Sequence, residues 1–216
     1  MRQLRRNKTY LSINLIGLTA AISCVILSVS FLLNQLSYDN FHKKGDAIYR
    51  LAKKNVNTTS GAESYNAETS GMMGPTMMNQ YPEVINVVRV QPWWDEVLVS
   101  YQEKSFKVSP WVFADSVFFS VFDFELKRGD KATVLARPLS IVLTESLAKK
   151  LFGEQDPIGA SIIGMNNLDF IVTGIVADPP ENSHIRFEAL ASWSSTVPGT
   201  GPLEFDFMNN WLGQTI

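Results

Sequence analysis

Ser146-Leu147-Ala148-Lys149 places a hydroxyl three residues before an amine, on what reads as a helix. That is the S-x-x-K pairing of acyl-transferring serine enzymes, but their companion S-D-N and K-T-G motifs are both absent. A second candidate lies further on. His184 follows Ser183 and stands six residues after Asp178, so hydroxyl, imidazole and carboxylate are close in sequence, without the G-x-S-x-G elbow that would support a nucleophile. His42 has only Asp39 and Asp46 nearby, short of the three or four ligands that a metal needs. The single cysteine, Cys24, sits inside an apolar run, which excludes a disulfide framework and a thiolate metal site. No glycine-rich phosphate cradle occurs, so energy from ATP must come through another chain. The expectation is therefore no catalytic residue, no metal ligand and no cofactor, with His184 fixing its own loop by hydrogen bonds. Met72, Met73, Met77 and Met78, and Trp93, Trp94 and Trp111, could form adaptable surfaces, but large apolar side chains more often pack inside.

The element at the start of the chain limits what these residues can do. Four of the 19 Lys and Arg (Arg2, Arg5, Arg6 and Lys8) fall in the first eight residues, and no further charge appears before Asp39. The other 15 stand against all 21 Asp and Glu. A mildly acidic body without a basic stripe is a poor match for nucleic acid. Between the two regions runs "LSINLIGLTAAISCVILSVSFLL", 11–33. At ~1.5 Å per residue a helix of that length crosses a hydrocarbon core of about 30 Å. The run is longer than a signal-peptide core and lacks a small-x-small exit, so it reads as an uncleaved anchor. Basic residues before it and acids after it predict a cytoplasmic N-terminus. Gly17, Ala20, Ala21, Cys24 and Ser28 fall at helical spacing and would let a second helix approach closely.

Beyond the span, residues 35–50 contain no Gly or Pro before Gly45, which predicts a stiff exit continuing the helix, with Tyr38 and Phe41 near the interface. Residues 47–56 read as a strand and 57–66 as a polar loop. Residues 69–83 read as a short helix broken early by Gly74-Pro75, and 84–90 as a strand. Residues 96–109 read as a hairpin turning near 102–104. Aromatics at 118, 119, 122 and 124 suggest a helical turn followed by a strand. Residues 139–144 form a buried strand, and 144–153 an amphipathic helix capped by Thr144 and ended by Gly153. A hairpin spans 161–176, a rigid loop 177–184 and a last strand 187–190. Phe205, Phe207, Trp211 and Leu212 in the tail want a partner surface. In "FGEQDPIG", 152–159, Asp156-Pro157 starts a turn and Gly159 allows an unusual backbone angle. Its acids have no basic neighbour in sequence and read as a solvated corner.

"SIVLTESLAKKLFGEQDPIGASI" (140–162) and "FIVTGIVADPPENSHIRFEAL" (170–190) resemble the extracytoplasmic core domain of bacterial ABC permeases of the macrolide-exporter (MacB) and FtsX-like type. "NKTYLSINLIGL" (7–18), "LSYDNFHKKGDAIYRL" (36–51), "YPEVINVVRV" (81–90) and "ADSVFFSVFDFELKRGD" (114–130) agree with it. The resemblance implies an α+β chain: one N-terminal transmembrane helix, then a mixed α/β, strand-rich extracytoplasmic domain. That domain, a MacB-like periplasmic core, is expected to be incomplete, because such permeases continue through further spans. The implied divisions are a cytoplasmic basic N-terminus at 1–10, the span at 11–34, a stalk at 35–46 and the core domain at 47–216. The family's structural turns fall on Gly153, Asp156, Pro157 and Gly159, and on Asp178, Pro179, Pro180, Ser183 and His184. Its coupling stalk falls on Leu36, Tyr38, Asp39, Phe41 and Ile48.

The implied function is that of a non-enzymatic permease subunit in the bacterial inner membrane, with its main domain periplasmic. It would couple ATP hydrolysis by a separate cytoplasmic ABC ATPase to movement of that domain. Implied partners are the ATPase, a second permease copy or homodimer, membrane lipid and a periplasmic partner or substrate. The competing expectation is a single-span membrane-anchored periplasmic sensor or binding module.

Overall fold

A computed structural model of the chain describes residues 8–93, 95–197, 201–203 and 213–215. The basic residues before Lys8, Trp94, and Phe205, Phe207, Trp211 and Leu212 lie outside the described residues. The chain forms two compact units: Met1–Asn40 with Glu181–His184, and Phe41–Pro180 with Ile185–Ile216.

The first unit is built on α1, Lys8–Leu36. Ser12–Leu36 is long and apolar enough to cross a membrane, and none of it is buried against protein. Unlike the buried helix of a soluble core, it leaves leucine, isoleucine and valine side chains exposed on every side. The expected helical stalk is not formed: α1 stops at Leu36 and residues 37–41 are turns. Side chains close its end, Ser37 Oγ donating to the Asn34 carbonyl at 2.7 Å and Asn40 Nδ2 to the Leu36 carbonyl at 2.6 Å. These satisfy carbonyls that have no partner within the helix.

The second unit is a mixed sheet with short helices. Its strands are β1 (Lys53–Val56), β2 (Glu63–Asn66), β3 (Glu68–Thr69), β4 (Arg89–Trp93), β5 (Val97–Tyr101), β6 (Lys104–Val108) and β7 (Trp111–Ala114). They continue with β8 (Leu126–Arg128), β9 (Ser140–Thr144), β10 (Ser161–Ile163), β11 (Asp169–Val176), β12 (Ala189–Ser192) and β13 (Gly213–Thr215). The helices are α2 (Met73–Gln80), α3 (Phe118–Val121) and α4 (Glu145–Phe152). The main sheet runs β3-β13-β4-β7-β12-β9-β11-β10-β5-β6, with β8 also on β11, while β1 and β2 form a separate ribbon. Among the described residues, β9/β11 and β7/β12 are the parallel pairs.

Strands β7, β12 and β9 are buried at every residue. Alternate side chains enter two cores. Trp111, Phe113, Ile141, Leu143, Ala189 and Ala191 face one, with Leu147, Leu151 and Phe152 of α4. Val112, Val142 and Leu190 face the other, with Phe118, Phe122, Phe124 and Phe187. Burial on both faces explains why Ile141-Val142-Leu143 at the centre of β9 is continuously apolar rather than alternating.

Several boundaries differ from the sequence expectations. The expected strand at 47–56 forms only at 53–56, and the expected loop at 57–66 supplies its partner, Lys53 facing Asn66 across the ribbon. The strand expected at 84–90 begins at Arg89. Pro75 does not break α2; it lies in the first turn, where its missing N–H costs no intrahelical bond. The strand expected at 187–190 forms two residues later, as β12. The hairpin β5–β6 turns as expected, with Gln102 at φ 53°.

Candidate functional site

Residues 37–39, where α1 ends, are tied to residues 182–184 of the loop after β11. Asp39 takes a left-handed conformation, φ 56°, which Asp tolerates better than most side chains. Its N–H donates to the Asn182 carbonyl at 3.0 Å. Its carboxylate accepts the His184 backbone N–H at 3.0 Å and lies 2.6 Å from His184 Nδ1. Asn182 Nδ2 donates to the Ser37 carbonyl at 2.8 Å. The Tyr38 ring lies 4.8 Å from the His184 ring, centroid to centroid. An acid beside a helix C-terminus is ordinarily unfavourable; here both donors of His184 meet it. Ser183 is buried, and Leu36 is exposed.

The next residues are tied to the second unit's core. The Phe41 ring packs edge-on to Phe124 at 5.4 Å, and the His42 ring lies 5.3 Å from Phe122. His42 Nδ1 accepts the Asp123 N–H at 3.1 Å, and the Lys43 N–H donates to Asp123 Oδ2 at 2.7 Å. Ile48 packs on the same aromatic core. Only Asn40 separates the stretch tied to 182–184 from the stretch tied to 122–124. His42 is therefore a hydrogen-bonded part of this anchor, and among the described residues no group of three or more His, Cys, Asp or Glu could hold a metal.

The turn at 152–159 is not the unpartnered corner expected of it. Arg128 on β8 meets Asp156 at 2.8 Å. Asp156 Oδ1 also accepts the Ile158 N–H at 2.9 Å. The Arg128 hydrogen bond, helped by that N–H, holds the Asp156 carboxyl below its ordinary value of 3.8. Gly153 and Gly159 stand at φ 62° and 81°, and an added Cβ would meet nothing at either. Their requirement is conformational rather than steric. Pro157 is buried, and the Gly159 N–H donates to the Val172 carbonyl at 2.7 Å, joining the turn to β11.

The residues that suggested acyl-transfer chemistry have other partners. Ser146 Oγ donates to Asp178 Oδ2 at 2.8 Å, tying the first turn of α4 to the loop that continues through Pro179 and Pro180. The Asp178 carboxylate thus serves Ser146, while the imidazole of His184 serves Asp39. Sequence reasoning missed one cluster altogether. Arg89 NH2 and Nε reach Asp115 at 2.6 and 2.8 Å, and the guanidinium lies 4.7 Å from the centre of the Trp193 ring. An arginine inside the apolar "VVRV" was the available signal, because a half-buried charge requires a counter-charge.

The profile of the MacB-like periplasmic core domain matches residues 11–208, and the chain belongs to that family. Three solved structures align with parts of the chain. A domain from a Porphyromonas gingivalis protein assigned as a permease aligns with a TM-score of 0.57 at 20% identity, covering 70% of this chain and 67% of its own. The extracellular domain of the noncanonic ABC-type transporter YknZ from Gram-positive bacteria gives 0.46 at 15%, covering 59% and 64%. The periplasmic region of MacB from Actinobacillus actinomycetemcomitans gives 0.45 at 19%, covering 65% and 63%. The chain thus spans about two thirds of each. No curated protein matches the sequence.

Proposed function

We propose that the chain is part of a permease subunit of an ABC-type export or mechanotransmission complex. It couples ATP hydrolysis by a separate cytoplasmic ATPase to movement of its periplasmic domain. The observation that carries this reading is the doubly tied exit from α1. Residues 37–39 are held by 182–184, residues 41–43 by 122–124, and Asn40 alone lies between. A chain anchored within its own unit on each side of Asn40 suits the transfer of displacement. The membership of a periplasmic-domain family and the membrane-length helix support an inner-membrane location, with the N-terminus cytoplasmic and the sheet periplasmic. ATP is bound by the partner. A second permease copy, surrounding lipid and a periplasmic partner or substrate complete the assembly.

The test is purification of the gene product from its native membrane, followed by insertion of Gly-Gly after Asn40. A nucleotide-binding-cassette ATPase is expected to co-purify. The insertion is expected to leave ATP turnover intact while abolishing ATP-dependent changes in cysteine labelling on the periplasmic domain. A protein that stays in the membrane with no ATPase attached would overturn this reading in favour of an anchored periplasmic sensor. Unchanged labelling after the insertion would remove the mechanical role.

A further inference from the structure

A cleft of about 620 Å³ lies in the second unit, between the segment that follows the anchored residues 41–43 and the segment that precedes β4. Its volume falls in the range of roughly 300–1,000 Å³ typical of ligand sites. Ile48, Leu51, Val84, Val87 and Val121 give it an apolar floor. Tyr49 and Ile85 stand at its margins, 77% and 84% exposed. Large apolar side chains so fully exposed beside a cleft are characteristic of interaction sites.

Two further features define the occupant. Residues 49–51 and 85–87 form no regular secondary structure, and none of their main-chain groups is hydrogen-bonded to another described residue. The walls therefore offer free N–H and C=O groups, and 85–87 lead directly into β4, whose register with β7 begins at Val90 facing Ala114. Lys44, Asp46 and Glu83 also line the cleft, and none of them forms an ion pair with another described residue. An apolar ligand would leave the main-chain groups and three charges unmet. A compact polar ligand would leave the floor unmet. An extended peptide meets all three, because its main chain pairs with an edge while alternate side chains face in and out.

We propose that this cleft binds an extended amphipathic peptide segment of a partner protein, apolar at alternate positions with both charge signs between. It adds as a strand alongside 85–87. Its apolar side chains fill the floor, and its cationic and anionic side chains meet Asp46 and Glu83, and Lys44.

The probe is a fluorescein-labelled peptide, Val-Lys-Val-Glu-Val-Lys-Val, titrated against the full chain in detergent and followed by anisotropy. Saturable binding is expected. It should weaken at least tenfold when the peptide is N-methylated at alternate residues, which removes main-chain donors and keeps the side chains. Ile85→Asp should weaken it to a similar degree, and Leu98→Asp, exposed on β5 away from the cleft, should leave it unchanged. The absence of saturation overturns the proposal. Equal affinity for the N-methylated peptide would make the cleft a lipid or detergent groove. Concentration-dependent dimerisation abolished by Ile85→Asp would assign it to a second copy. In the native membrane, Ile85→Cys on a Cys24→Ser background should react with an impermeant maleimide. Its complete protection with no cross-linked partner would assign the cleft to the protein's own polypeptide. Each of these last three results overturns the proposal.

Discussion

Asp39→Ala removes at once the acceptor of the His184 backbone N–H and the partner of its ring, while Asp39→Asn keeps an oxygen acceptor and the tolerance for positive φ. The alanine variant is expected to lose amide hydrogen-exchange protection at His184, and the asparagine variant to retain it. The ring–carboxylate part is partly exposed, so a double-mutant cycle of Asp39→Asn with His184→Ala should give no more than about 1 kcal/mol. Asp156 provides a separate check. Its carboxyl is held low by Arg128 and the Ile158 N–H, so its ionised form favours the folded state. That contribution is fully present well above 3.8 and is lost as the pH falls through the lowered pKa. The melting temperature of the native chain should exceed that of Asp156→Asn near neutrality, and the gap should close on acidification. A gap independent of pH would assign the role of Asp156 to turn geometry alone.

Helix α4 was legible as an element because everything that specifies it is local. Thr144 Oγ1 accepts the Leu147 N–H at 3.3 Å, Leu147 and Leu151 share a buried face, and Gly153 supplies the positive φ that ends it. Thr144→Ala should cost about 1 kcal/mol, and Leu151→Ala about 2–5 kcal/mol, in denaturant titrations. The hairpin β5–β6 was legible for the same reason, its two strands being joined by a two-residue turn. What could not be read depends on distant partners. "VINVVRV" has the residue types of a strand, yet 84–88 have no neighbouring strand and the ladder starts only at Arg89. The polar "ESYN" has no strand signature of its own and becomes β2 only because β1 lies opposite. The turn at 152–159 was recognisable from Gly, Asp and Pro, but its cation comes from Arg128 on another strand. The aspartate–histidine tie joins positions 145 residues apart, a separation at which pattern and spacing carry no information.

For the whole molecule, the proposed orientation predicts a simple digestion pattern. Protease added outside spheroplasts should remove the sheet-bearing unit and leave a protected N-terminal fragment carrying α1, detected through an N-terminal tag. Protection of the entire chain would reverse the orientation. Lysis before digestion should trim that N-terminal fragment to about the length of α1, because a helix of 29 residues is close to what a bilayer can cover.

The position of β12 also sets an order of events during synthesis. It lies between β7 and β9, pairing in parallel with one and antiparallel with the other. Those two strands are therefore not joined into one sheet until residues 189–192 arrive. A ribosome supplies the chain from its N-terminus, at about 5–20 residues per second. The segments of β7 and β9 thus emerge with apolar side chains on both faces and wait several seconds for the strand that joins them. In the proposed orientation, that interval would make the nascent domain a client for whatever chaperone guards the exit side of the membrane. Nascent chains arrested before Ala189 has crossed should be captured there and digested readily. Chains arrested after Ser192 has crossed should resist the same protease.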